Sequence, residues 1–157
     1  MITRFTVLRD TREKPQHGWH FDEDAYCAGT EIHKLDTGDY TIRGLEDVLC
    51  VERKKTIDEF ASNCIQERWT RCLERMSQFK HSYLLLEFSK YVLNNYPYSS
   101  SAPPKIKRKL RMSSKFIRRN IYNIRHDYNI HVLLCTDRAK AEMIAYRIMR
   151  KAYELTI

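Results

Sequence analysis

Apolar and polar positions along this 157-residue chain fall into short runs that predict strands and helices in turn. Phe5-Thr6-Val7-Leu8-Arg9, with β-branched and aromatic residues, predicts a first strand. It runs into Asp10-Thr11-Arg12-Glu13-Lys14-Pro15, a charged break closed by proline. Residues 16–30 show no clear period. Glu31 to Leu35 predicts a second strand, with Gly38-Asp39 as the turn after it. Asp39 to Arg43 and Val48 to Lys54 predict an antiparallel pair around Gly44, with the loop acids Glu46 and Asp47 facing water.

Thr56-Ile57-Asp58-Glu59 fits a capping box and opens a long helix. Its apolar stripe is Ile57, Phe60, Ala61, Cys64, Ile65, Trp69, Cys72, Leu73, Met76 and Phe79, which reads as core. Asp58 falls in the first turn, where the helix dipole favours a carboxylate, so its reading is structural more than catalytic. Ser82 to Glu87 is a continuous apolar run, as expected of a strand covered on both faces. Glu87 reads equally as an outer-shell acid or an exposed strand end. Ser113 or Ser114 caps a helix with Ile117, Ile121, Ile124 and Tyr128 on one face. Ile130 to Cys135 predicts a buried strand. Thr136-Asp137 caps a last helix with Ala141, Ile144, Ala145, Ile148 and Ala152 inward. This succession predicts an α/β sandwich with helices on both faces.

Charge narrows the partners. The formal net charge is +8, which suits a polyanion but does not separate nucleic acid from a membrane surface. From Phe88 to His126 there is no Asp or Glu. Within that span Lys105, Lys107, Arg108, Lys109, Arg111, Lys115, Arg118, Arg119 and Arg125 form a dense positive stretch. It follows a proline- and turn-rich connection, expected to be mobile at about 89–113. Phosphate neutralisation makes this the expected nucleic-acid contact beyond any active site. Tyr91, Tyr96 and Tyr98 read equally as base-stacking residues or as part of a solvated loop.

No run is apolar and long enough to span a bilayer, and Met1-Ile2-Thr3-Arg4-Phe5 lacks the apolar region of a signal peptide. Cys27, Cys50, Cys64, Cys72 and Cys135 show no CxxC spacing and read as reduced thiols. His17, His20 and His33 near Cys27 match no standard zinc pattern. The expectation is an intracellular, soluble protein of one domain over residues 1–157, with no membrane partner.

The chemistry concentrates between Gly38 and Asp58. On a strand Glu52 and Lys54 share a face and Arg53 takes the other. With Asp39 on a neighbouring strand, such a set can hold a hard divalent cation and a water beside a phosphodiester. This pattern resembles the PD-(D/E)xK nucleases. More narrowly it is similar to the XPF-type structure-specific endonucleases, whose GDx(n)ERKxxxD signature is matched by Gly38-Asp39, Glu52-Arg53-Lys54 and Asp58. Asp10-Thr11-Arg12-Glu13 resembles the family's D-x-R-E segment, followed by Pro15 and by Trp19 or Phe21 for its aromatic. Leu84-Leu85-Leu86-Glu87 resembles its LL(I/V)E strand. Arg68 and Met76 resemble its R…M pattern, with Cys72 where the family often has glutamine.

The resemblance implies a restriction-endonuclease-like core, a central mixed β-sheet flanked by helices. It implies hydrolysis of DNA phosphodiesters with Mg²⁺ or Mn²⁺, in branched or flapped DNA, leaving 5′-phosphate and 3′-hydroxyl ends. Asp39 and Glu52 would hold the metal, with Asp10 as a third acid. Lys54 would orient the attacking water or stabilise developing charge. Arg53 would support the site, its backbone carbonyl being a further ligand candidate. Arg12 and Glu13 would arrange the site or contact the DNA backbone, and Arg68 would contact a phosphate. Such nuclease domains usually dimerise, so a homodimer or heterodimer through this domain is a further implication. The chain leaves no room for the tandem helix-hairpin-helix module that usually follows, and so resembles compact bacteriophage or bacterial forms, placed in the cytoplasm of a bacterium or infected host cell. The alternative is an inactive DNA-binding or scaffolding subunit, against which stand the intact Asp10, Asp39, Glu52 and Lys54.

Overall fold

The strand read at the start of the chain forms as β1 (Phe5–Arg9), and five more strands join it in one sheet. These are β2 (Cys27–Ile32), β3 (Tyr40–Ile42), β4 (Leu49–Lys54), β5 (His81–Leu86) and β6 (His131–Leu134), in the order β2-β1-β3-β4-β5-β6. The molecule is a computed structural model describing residues 3–156. Met1 and Ile2, from the stretch read as lacking an apolar leader, and the terminal Ile157 lie outside the described residues. β1 pairs antiparallel with β3, and β3 with β4, while β1/β2, β4/β5 and β5/β6 are parallel. The expected mixed sheet is therefore present.

Helices cover both faces. α1 (Ile57–Cys64), α2 (Glu67–Met76), α3 (Lys90–Asn94) and α5 (Ser114–Asp127) pack on one, and α6 (Arg138–Glu154) on the other. The period-two geometry of β5 divides its leucines between the two cores: Leu84 and Leu86 face α1 and α5, and Leu85 faces α6. Each such fully buried side chain contributes about 1.5–3 kcal/mol relative to exposure. The same alternation on β4 puts Cys50 on the α1 side and Leu49 and Val51 on the α6 side. By continuation Glu52 and Lys54 face α1, and Arg53 faces away.

Several boundaries differ from expectation. The second strand lies at Cys27–Ile32 and not at Glu31–Leu35. It is an irregular sheet edge with only Cys27 buried and Gly29 at φ 110°, so it lacks the alternation that marks a half-buried strand. The expected continuous helix from Thr56 to Phe79 is two helices. α1 ends at Cys64, and the Gln66 N–H donates to the Asn63 carbonyl as the chain turns into α2. Both segments bury apolar residues in the same core, so the apolar spacing runs on across the break. Ile65, counted in the stripe, sits in the turn and is exposed. The 89–113 connection carries α3 and a short α4 (Pro104–Lys107), begun by the Ser89 cap and by Pro104 at a helix start. Tyr96 is buried in the core, which removes it from the base-stacking candidates, while Tyr91 and Tyr98 are exposed.

The caps read from sequence hold. Thr56 Oγ1 accepts from the Glu59 N–H, Ser113 Oγ from Phe116, and Asp137 Oδ1 from Lys140. Asp137→Ala removes the cap of the longest helix and is expected to cost about 0.5–2 kcal/mol, read as a lower urea midpoint at unchanged slope. All five cysteines are free. Burial pushes the Cys72 thiol up to about 11 and Cys64 to about 12, which makes them poor nucleophiles at neutral pH. Among the described residues no helix is long and apolar enough to cross a membrane.

Candidate active site

The signature residues meet at one end of the central strands. The Asp39 N–H donates to the Val51 carbonyl (2.9 Å), its carbonyl accepts from Asp10 N–H (2.9 Å), and its Oδ2 accepts from Arg53 N–H (2.9 Å). Asp39 is thereby stitched to the ends of β1 and β4, beside Glu52. Gly38 makes this approach feasible: its φ is +87°, and a Cβ there would stand 2.7 Å from Cys50 Sγ. Gly38→Ala is expected to destabilise the protein by about 1–3 kcal/mol and to displace Asp39, checked by urea unfolding and by loss of Mg²⁺ binding in calorimetry.

Lys54 reaches into the same space. Its Nζ lies 3.6 Å from Glu52 Oε1, 3.8 Å from Glu59 Oε1 and 4.6 Å from the centroid of Trp69, which fixes the ammonium between two acids and an indole face. Asp39, Glu52, Arg53 and Lys54 line a cavity of about 350 Å³ with Arg12, Glu13, Lys14, His17, Lys55 and Glu59. A smaller cavity of about 220 Å³ touches Asp39 and Glu52 from another side, with Asp10, Arg12, Asp36, Cys72 and Arg75.

Electrostatics mark the pair. Burial, and then the Glu52 charge, push the Asp39 carboxyl well above the usual range. Burial also raises Glu52, against the pull of Lys54 and Asp39. Two carboxylates of raised basicity and shared space are short of positive charge, which is the donor chemistry of a hard divalent cation. The donor set fits Mg²⁺ or Mn²⁺, which the Asp39 and Glu52 side chains could hold. Among the described residues no three His, Cys, Asp or Glu side chains cluster as a metal site, so such an ion would draw its other ligands from water and phosphate.

Asp10, expected as the third acid, is held differently. Its Oδ1 accepts from Leu35 N–H (2.8 Å) and its Oδ2 from Arg12 Nε (2.6 Å) and Arg12 N–H (3.3 Å). Burial raises its pKa, but these donors outweigh it and hold the carboxyl below the ordinary value. Arg12, although paired, is 72% exposed at the cavity rim. The two kinds of acid give opposite pH behaviour. Asp39 and Glu52 bind protons more tightly folded than unfolded, so in the absence of metal stability falls as pH rises from about 4 through their raised values. Asp10 adds stability above its unfolded value and loses it as pH falls through its lower folded one. Asp39→Asn is therefore expected to flatten the decline above about pH 4, measured as the urea midpoint in EDTA. A wild-type slope in the variant would contradict it.

Arg53 lies on the opposite face, as its strand parity requires, and is buried. It donates from Nε and Nη2 to Glu87 (2.8 Å each), and from Nη1 to Glu13 Oε1 (3.0 Å) and the His17 carbonyl (2.5 Å). Glu87, left open between two readings, is thus a buried ion-pair partner, and it also accepts from Trp19 Nε1 (2.8 Å). Trp19 stacks on Tyr40 at 4.8 Å and carries the Arg53 guanidinium over its ring. Glu13 is drawn into this network from the loop. Asp58 accepts from Ser100 Oγ (2.5 Å) and from Ser101 N–H and Oγ (3.0 Å each), tying the 89–113 segment to α1.

Arg68 bonds Gln66 Oε1 (2.9 Å) and lines neither cavity, whereas Arg75 lines the smaller one. Of the basic stretch, Lys107 bonds the Tyr98 carbonyl, Arg108 the Pro104 carbonyl and Arg118 the Asn94 side chain. Lys105, Lys109, Arg111, Lys115 and Arg119 are exposed. Glu59, Trp69 and Arg75 join the site although no sequence motif marks them for it. Glu59 at the capping-box position, on the helix that follows the lysine-bearing strand, is the one visible signal.

Comparison with known proteins gives the fold a place. A search of curated proteins found no match. Among the solved structures that resemble the chain are XPF from Aeropyrum pernix, at 18% identity and a TM-score of 0.67, covering 94% of this chain and 65% of that one, and XPF from Aeropyrum pernix in complex with DNA, at 19% identity and 0.68, covering 96% and 66%. The chain thus spans just under two-thirds of the length of those structures. The ERCC4 domain matches residues 9–146, from the last residue of β1 into α6, and takes in every signature residue described above. The chain belongs to the ERCC4 domain family and has the fold of the XPF nuclease domain.

Proposed function

We propose that this chain is a metal-dependent endonuclease hydrolysing DNA phosphodiester bonds, in branched or flapped DNA. The observation that carries the reading is the pairing of Asp39 and Glu52, both of raised basicity, with the Lys54 ammonium 3.6 Å from Glu52. ERCC4 membership and the DNA bound to one similar fold support a DNA substrate.

A divalent ion held by Asp39 and Glu52 would polarise the scissile phosphate and acidify a bound water. The chain's own residues do the rest. Lys54, confined by Trp69 and Glu59, presents its ammonium where negative charge grows on the phosphate and orients the attacking water. Arg53 donates its N–H to Asp39 Oδ2 and so aims that carboxylate from the far side of the strand. Asp10 anchors Arg12 at the rim, where the exposed guanidinium can meet the DNA backbone. Lys105, Lys109, Arg111, Lys115 and Arg119 extend the phosphate-binding surface.

The test is cleavage of a labelled panel (single strand, duplex, flap, fork, four-way junction) with Mg²⁺, Mn²⁺ or EDTA, beside Lys54→Ala. Metal-dependent cutting that Lys54→Ala lowers at least about 100-fold is expected. Wild-type binding without cutting of any substrate would sink the reading in favour of an inactive DNA-binding subunit.

A further inference from the structure

A third opening lies on the α1 side of the sheet. It is a groove of about 760 Å³ between α1, α4 and the start of α5. Ala61, Ile65, Ile106, Leu110, Met112 and Phe116 make its walls. Three of these are open to solvent, Ile65 at 71%, Ile106 at 53% and Phe116 at 38%. Apolar side chains left exposed around one concavity mark a binding surface. Lys109 and Arg111 also line it, and Lys105 and Lys115 are exposed on the elements that form it. None of these four makes an ion pair among the described residues.

We propose that this groove takes the unpaired bases of single-stranded DNA, with the strand's phosphates on Lys105, Lys109 and Arg111. The inference rests on the reading of the chain as a protein acting on DNA. The chemistry of the lining selects the occupant. A polyanion answers the basic rim, but the apolar walls need flat, weakly hydrated faces on the same molecule. Paired bases hide those faces in the stack, whereas an unpaired strand offers them beside its phosphates. The groove also adjoins the active site. Asp58 lines the groove and Glu59 lines the active-site cavity, so the first turn of α1 separates the two. The Asp58 bonds to Ser100 and Ser101 hold the groove-forming segment against that turn. A strand leaving the Lys54 side along α1 therefore enters the groove directly, which gives the enzyme a means to select DNA with an unpaired arm.

The probe is a fluorescein-labelled decathymidylate, with a ten-base-pair duplex beside it, titrated by anisotropy in EDTA so that nothing is cut. Ile106→Asp is expected to weaken single-strand binding about tenfold while leaving duplex binding within about twofold. Lys109→Glu/Arg111→Glu is expected to weaken single-strand binding and reduce the slope of log K against log salt by about 0.7 for each phosphate left without a cation. A 2-aminopurine in the strand should be quenched on binding wild type and less so by Phe116→Ala. All altered side chains are at the surface, and thermal melting checks that each variant folds. Single-strand binding by Ile106→Asp within twofold of wild type, or equal losses for duplex, would overturn the proposal. So would binding of acidic phospholipid vesicles through the same rim with no binding of the decathymidylate. Failure here with cleavage still dependent on Lys54 leaves the nuclease reading standing. Groove-dependent binding without cleavage removes the nuclease reading and leaves the groove.

Discussion

Arg53→Ala is expected to lower stability by about 3–5 kcal/mol, among the larger single-site losses in this fold. The guanidinium is 2% exposed and lies between Glu87, 4% exposed, and Glu13, 6% exposed. It makes two bonds to Glu87 at 2.8 Å and also satisfies the His17 carbonyl. Removing it leaves two acids with no cation where water cannot replace the charge. Burial alone lowers the Arg53 pKa, and Glu87 and Glu13 reverse that and raise it overall. Arg53→Lys keeps the charge but not the two-pronged fit to Glu87, and should recover only part of the loss. Arg53→Met/Glu87→Leu should be less damaging than the single alanine, because it removes both buried charges of the main pair. Urea unfolding at pH 7 measures all three. A loss below about 1 kcal/mol for Arg53→Ala would refute the view that this arginine anchors the sheet to the 13–19 loop.

Glu52→Gln should split activity from stability. Cleavage is expected to fall by roughly three orders of magnitude, since a metal contribution of several kcal/mol converts at about 1.4 kcal/mol per tenfold. Stability in EDTA should hold or rise, because the substitution removes a buried carboxylate whose charge raises the proton affinity of Asp39. The metal linkage supplies the control. Mg²⁺ binding to the folded state is expected to raise the wild-type melting temperature. The variant, with one holding carboxylate lost, should show little or none of that rise. Retention of wild-type cleavage, or of the full Mg²⁺-induced shift, would overturn the assignment of Glu52.

These two residues adjoin on one strand and have opposite duties, and their separation was legible in the sequence. Strand geometry requires Glu52 and Lys54 to share a face and Arg53 to leave it. The antiparallel pair around Gly44, the helix caps at Thr56, Ser113 and Asp137, and the doubly covered β5 follow from equally local rules. The edge strand β2 did not, because parallel pairing draws on a partner 22 residues away at Phe5↔Cys27 and leaves no short-range period. The break between α1 and α2 was hidden because both helices bury their stripes in one core.

The chain's local chemistry by itself determined the acids, the lysine, the strands that carry them and the basic character of the 88–126 segment. Tertiary structure decided which charges spend themselves on each other. Asp10 faces Leu35 and Arg12, Glu87 faces Arg53, and Tyr96 turns into the core, each held by what the fold brings beside it. It also decided that Trp69 and Glu59 confine Lys54, and that α1 separates the active-site cavity from an open apolar groove. The physical reason is range. Periodicity and capping act over a turn or a strand and are written in neighbouring residues. Burial, ion pairing and the shape of a cavity depend on which distant segments the core brings together.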